Sequence, residues 1–190
     1  SHFKDVLNNI IIPDGKPASA HGCIFVVSAY NNVTNWIMED KKTGGPGVYT
    51  YFSRGEQWET HLDQLLQRLL ERNRGYADLG LDQRTAKEYI TRRIQETKNY
   101  LYSMADVISS GYVEKENILL AAREILASIG EAHSAFNSVE ILQSQGIQAR
   151  LIDLSGLHDS ELLTIDERVH RSFQDIDFSK LTVIATGYTK

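Results

Sequence analysis

Phe25-Val26-Val27-Ser28-Ala29-Tyr30-Asn31-Asn32-Val33-Thr34-Asn35 is the stretch on which the reading of the fold turns. Its first half continues an apolar, β-branched run that begins at Cys23, so residues 23–29 read as a short buried strand. Tyr30-Asn31-Asn32 follows as a turn, and Asn32 or Thr34 is placed to cap a short helix reaching about Asp40. A strand that delivers a hydroxyl, Ser28, through a polar turn to a helix N-terminus offers free backbone N–H groups to a phosphate or carboxylate. Taken alone, a Ser and a Thr near a strand end are more often simple capping residues.

The pattern on either side fits a strand of this kind. Upstream, Phe3, Val6, Leu7, Ile10 and Ile11 recur at helical spacing, and Pro13-Asp14-Gly15 ends that helix. Downstream, Gly44-Gly45-Pro46-Gly47 breaks the chain before a long helix with Trp58, Leu62, Leu65, Leu66, Leu69 and Leu70 on one face. Asp82 caps the next helix, whose Ile90, Ile94, Thr97, Leu101, Met104 and Ile108 alternate spacings of four and three. That narrow seam suits an antiparallel partner, so residues 55–109 are expected to form a helical hairpin. The charges between its apolar positions read as a solvated face. A helix from Glu114 is expected to stop at Gly130-Glu131, and a further one to run from about Glu131 to Gln145, with Gly146 as its C-terminal cap. Strands are expected over 149–153 and 181–186, with a short helix between them from Asp166 to Phe173.

Short, apolar, β-branched strands alternating with helices imply an α/β fold: a mainly parallel sheet in a three-layer α/β/α arrangement, with the hairpin packed outside the sheet. No linker divides the 190 residues, and that length suits a single domain with a sizeable core. A net charge of -5 lacks the basic footprint of a nucleic-acid binder. No apolar stretch is long enough to span a bilayer, and Ser1 begins no signal-peptide pattern. Cys23, the one cysteine, reads as a buried structural thiol; a lone cysteine precludes an internal disulfide and agrees with a cytoplasmic location.

In open parallel sheets, ligands bind beyond the carboxyl ends of the strands. Two such ends carry chemistry: Ser28 at the first, and Ala185-Thr186-Gly187-Tyr188 at the last, where Gly187 lets a ligand approach the backbone. Glu131 is a third candidate, as a carboxylate for a substrate ammonium or merely a helix-capping acid. His133, His158 and His170 form no zinc pattern, so no metal site is assigned. Ser28, Ser134 and Ser155 lack a nucleophile-elbow context, and no Walker-type phosphate loop is present.

These residues, in this order, resemble the aspartokinases. Phe25-Val26-Val27-Ser28-Ala29 followed by Val33-Thr34-Asn35 is similar to that family's V-V-S-A-x-x-x-x-T-N motif. Ser128-Ile129-Gly130-Glu131 resembles its Gly-Glu at a helix start, Ile141-Leu142 to Asp153 its next helix, turn and strand, and Ile184 to Tyr188 its strand ending in Gly-Phe. Tyr30-Asn31-Asn32 and the run from Lys41 to Tyr49 look like the type associated with ectoine synthesis. The resemblance implies the substrate-binding, N-terminal lobe of an amino-acid kinase fold, spanning 1–190 with the hairpin inserted. It implies transfer of the ATP γ-phosphoryl to the β-carboxylate of L-aspartate, with Mg2+, in a cytoplasmic homo-oligomer.

Carried over, Ser28 is expected near the transferring phosphoryl in a catalytic role, with Gly187 beside the phosphate path. Thr34 and Glu131 become aspartate contacts, Glu131 holding the amine. The family's substrate arginine and catalytic aspartate have only Arg168 and Asp166 as stand-ins. The family's Lys-x-Gly-Gly-Thr-Ser segment would precede residue 3, and its nucleotide-binding lobe and ACT domains would follow Lys190. The chain taken by itself is therefore expected to be an inactive fragment that pairs edge to edge. A stand-alone binding or assembly domain, and a kinase for another amino acid, are the other readings the same fold allows.

Overall fold

At the centre is a small parallel sheet of β1 (Ile24–Val27), β2 (Ala149–Ile152) and β3 (Thr182–Thr186) in the order β1-β3-β2. The computed structural model describes residues 3–12 and 20–189. Both pairings are parallel, with Val26 opposite Ala185 and Leu151 opposite Ile184. The strands expected as parallel neighbours are therefore neighbours. The expected turn at Pro13-Asp14-Gly15 lies outside the described residues.

Alternation along each strand sorts side chains to two faces. Ile184, with Phe25, Val27 and Leu151, meets Ala135, Val139 and Leu142 of a long helix and Leu7 and Ile11 of the opening helical turns. Val183 and Ala185 point the other way, onto Phe173, Ile176 and Phe178. Ile24 and Val26 share that second face by alternation, yet remain 47% and 67% exposed, so its cover stops at β3.

The helices are α1 (Phe3–Val6, continued by the π-helical turn Leu7–Ile11), α2 (Val33–Ile37), α3 (Val48–Arg54), α4 (Trp58–Arg74), α5 (Gln83–Ser110), α6 (Lys115–Ser144) and α7 (Ile165–Phe173). Asp82 caps α5 by accepting from the Thr85 N–H, and Thr164 and Glu167 form a reciprocal capping box on α7. Asn32 stands at the start of α2 in a left-handed conformation and makes no capping bond through its side chain. The short α3 has no counterpart in the sequence reading. Cys23 is partly exposed, not buried, because it leads into the edge strand, whose own residues are exposed or half-buried.

The expected break at Gly130-Glu131 does not occur: α6 is one unbroken helix of 30 residues. A glycine inside a helix costs about 1 kcal/mol relative to alanine. Here a Cβ would lie 2.7 Å from the Ala29 Cβ and 3.0 Å from Val33 Cγ1. Gly130 thus marks a close crossing of α6 and the turn after β1, and Glu131 sits mid-helix instead of capping one.

This helix is the spine of the molecule. Its second half covers the sheet, while Ala122, Leu126 and Ile129 join a separate core with α2 to α5. The hairpin expected over 55–109 appears as α4 and α5, and its buried Leu62, Leu69, Ile90 and Leu101 pack in that second core. Each such leucine contributes about 2 kcal/mol through removal from water.

Candidate functional site

The carboxyl ends of β1 and β3 meet the middle of α6. The Gly187 N–H donates to the Val27 carbonyl at 2.9 Å, which extends the ladder one residue beyond β3. A Cβ on Gly187 would sit 3.2 Å from that oxygen and 3.3 Å from Glu131 Oε2. The residue is exposed, so its bare backbone is open to a ligand beside the carboxylate.

Glu131 is held there by its own helix. One turn later, the Ser134 hydroxyl bonds the Ser28 carbonyl at 2.8 Å and the Glu131 carbonyl at 3.0 Å. The Tyr188 N–H donates to the Glu131 carboxylate. Oε2 is enclosed and has no hydrogen-bond partner. Burial raises the pKa of the group, and the Tyr188 bond only partly opposes this. A half-buried carboxylate with an unsatisfied oxygen is a receptor for a cationic donor.

Ser28, Glu131 and Gly187 are therefore brought together, although 159 positions separate the first from the last. The Ser28 side chain is exposed. Thr34, also exposed, follows Val33, the residue that abuts Gly130, so α2 begins at the same junction. Asp166 and Arg168 are placed differently. Both lie on α7, on the side of the sheet away from α6. Asp166 is exposed in the first turn. Arg168 is buried: its Nε donates to Asp159 at 2.8 Å, its Nη1 donates to Thr189 Oγ1 at 3.3 Å, and its guanidinium lies against Gly156.

Two buried polar networks beside this cluster escaped the sequence reading. Arg93, counted among the solvated charges of the hairpin, is only 3% exposed. Its Nη1 pairs with Asp153 Oδ2 at 2.5 Å, and its Nη2 donates to Ser128 Oγ and Ser155 Oγ, each at 2.9 Å. Burial alone would raise the Asp153 pKa, but Arg93 and the Ser155 bonds outweigh it and hold the group below the usual carboxylate range. Spacing was the missed signal: Arg93 lies three residues after Ile90 and four before Thr97, on the apolar seam.

The second network joins α4 to α6. His133 Nε2 lies 2.6 Å from Asn73 Oδ1, which also accepts from Asn137 Nδ2 at 2.8 Å. Asn137 Nδ2 also approaches that ring nitrogen, at 3.2 Å. Burial, with the Arg72 charge adding to it, pushes the pKa of His133 down to about 3, so the ring is neutral. Arg72 itself donates to the Asn31 carbonyl at 3.0 Å, in the turn between Ser28 and Thr34.

Among the described residues, no group of three or more His, Cys, Asp or Glu is placed to hold a metal ion. Among the described residues, no helix is long and apolar enough to cross a membrane.

Comparison with known proteins gives one strong relative. The chain is 39% identical over 192 aligned positions to the aspartate kinase Ask_Ect of Stutzerimonas stutzeri. The match covers all of this chain and 40% of that protein, so the chain spans about two fifths of its relative. No family model matches, and no solved structure matches. The resemblance drawn from the motifs, including the ectoine-associated type, is borne out by this relative.

Proposed function

We propose that this chain is the aspartate-holding part of an aspartokinase of the ectoine-associated type, within the three-layer substrate lobe of an amino-acid kinase fold. The whole protein would transfer the γ-phosphoryl of ATP to the β-carboxylate of L-aspartate. One observation carries the reading: the enclosed, unpartnered Glu131 Oε2 beside the bare backbone of Gly187, at the carboxyl ends of two parallel strands. An α-ammonium would satisfy that oxygen.

The roles follow from the placement. Glu131 takes the substrate amine, and Thr34 at the start of α2 contacts the same amino acid. Ser28 offers its exposed hydroxyl toward the phosphoryl, and Gly187 leaves the phosphate path free of side chains. Phosphoryl transfer depends on positioning and charge neutralisation more than on covalent chemistry, and these parts serve positioning. ATP brings Mg2+ on its phosphates, the usual mode for this cation. Arg168 is already committed to Asp159 and Thr189, which favours a supporting role for it, steadying the segment after Gly187. The second edge of β1 pairs with no described strand, which supports association with another strand or another copy.

The test uses the full-length protein and aspartate-dependent ADP release. Glu131→Gln should raise KM for aspartate by roughly tenfold or more, with KM for ATP within about twofold, because only one substrate loses its charged partner. The raised pKa adds a second readout. The carboxylate must be ionised to hold an ammonium, so aspartate affinity falls as pH drops through that raised value. Glu131→Gln should lack this acidic limb. ADP release that ignores aspartate would sink the reading, leaving a binding module or a kinase for another amino acid.

A further inference from the structure

We infer that Arg93, contributed by the helical hairpin, is a positioning residue for the Glu131–Gly187 site. The inference rests on the aspartokinase reading above and concerns how the amine-binding Glu131 carboxylate is held in register.

Its guanidinium reaches both supports of that contact. One Nη2 bond goes to Ser128, which lies three residues before Glu131 on the same helix and bonds back to the Ile125 carbonyl at 2.7 Å. The same nitrogen and Nη1 hold Ser155 and Asp153, in the segment leaving β2. Leu154, between them, donates its N–H to Thr186 Oγ1 at 2.9 Å, immediately before Gly187. One side chain thus sets the rotation and height of α6 at Glu131 and the course of β3 at Gly187.

A merely stabilising contact would not need this chemistry. Apolar residues of similar volume hold helices together at least as well as a buried ion pair. A planar guanidinium differs in fixing direction, since its donors must meet their acceptors in one plane. Because α6 is continuous through Gly130, a shift at Ser128 is carried to Glu131 without a hinge to absorb it. The hairpin's docking is in this way coupled to amine capture, although no hairpin residue is assigned to substrate contact.

The experiment compares Arg93→Met and Arg93→Lys with wild type in the full-length enzyme, with Glu131→Gln as the reference for a lost amine contact. Arg93→Met should raise KM for aspartate about tenfold while KM for ATP stays within about twofold, an effect no larger than that of Glu131→Gln. Arg93→Lys keeps the charge but loses the fork, and should raise KM for aspartate about threefold to tenfold. If Arg93→Met does not fold, Arg93→Lys decides alone. An unchanged KM for aspartate in the soluble variants overturns the inference while leaving the aspartokinase reading intact. Activity that falls for both substrates in proportion to lost folded protein also overturns it, as that is the signature of a structural role. Absence of aspartate-dependent turnover in wild type removes the aspartokinase reading, and the inference with it.

Discussion

The hairpin is fastened to the rest of the molecule by two buried polar networks of opposite character. Arg93, Asp153, Ser128 and Ser155 form a charged one, where α5 meets α6 and the end of β2. Asn73, His133 and Asn137 form a neutral one, where α4 meets α6. The charged network satisfies nearly every donor it buries, leaving Arg93 Nε without a partner. The neutral one leaves Asn73 Nδ2, His133 Nδ1 and Asn137 Oδ1 without partners. Full charges are too costly to strand in a protein interior, so their acceptors are supplied; amides and a neutral imidazole tolerate partial satisfaction. The two networks flank Glu131, at Ser128 on one side and His133 on the other, and should respond to different perturbations.

Asp153→Ala breaks the comparison hardest. It leaves the Arg93 guanidinium, 3% exposed, without its counter-charge. Loss of one partner from a buried pair typically destabilises by 3–5 kcal/mol, and the partial exposure of Asp153 places the expected loss at about 3 kcal/mol. Chemical denaturation checks this, and a loss below about 1 kcal/mol would show that hydroxyls and water already balance the arginine.

Acid separates the networks next. The folded pKa of His133 is depressed from 6.5 to about 3, so the unfolded chain takes up the proton first. Stability from the neutral ring is present above pH 6.5 and is lost as pH falls from there toward 3. Asp153 is also depressed, but its contribution is lost only as pH falls through and below the ordinary carboxylate range. Between pH 7 and 5, His133 should therefore account for about 2 kcal/mol of lost stability. His133→Gln should flatten that part of the profile, and Asp153→Asn should leave it. Equal slopes in wild type and His133→Gln would mean that the folded protein accommodates the imidazolium.

Much of this was legible in the sequence, and the misses share a cause. The strands, their parallel pairing and the hairpin follow from local patterns: β-branched runs, seam spacing, and the Asp82 cap. The convergence of Ser28, Glu131 and Gly187 followed from the carboxyl-end rule together with the resemblance. Gly130 misled because glycine carries two meanings, a helix end or a close crossing, and only the tertiary contact with Ala29 and Val33 selects between them. Arg93 misled because its partners lie 35 to 62 positions away, so a charge on an apolar seam looked like solvated surface. Asp166 and Arg168 were chosen by residue type, and the fold places both on α7, on the face of the sheet away from α6.

The smallest expected effect sharpens the contrast between docking the hairpin and merely bracing it. Lys98 Nζ lies 2.9 Å from Asp63, linking α5 to α4 within the hairpin, and the Asp63 side chain is 60% exposed. Water screens such a pair, and ordering two flexible side chains offsets most of the attraction, so Asp63→Ala should change stability by less than about 0.5 kcal/mol. The pair reaches neither α6 nor the strands. KM for aspartate should then stay at the wild-type value, in contrast to Arg93→Met. A clear rise in KM from Asp63→Ala would mean that bending within the hairpin, and not its anchorage through Arg93, governs the position of Glu131.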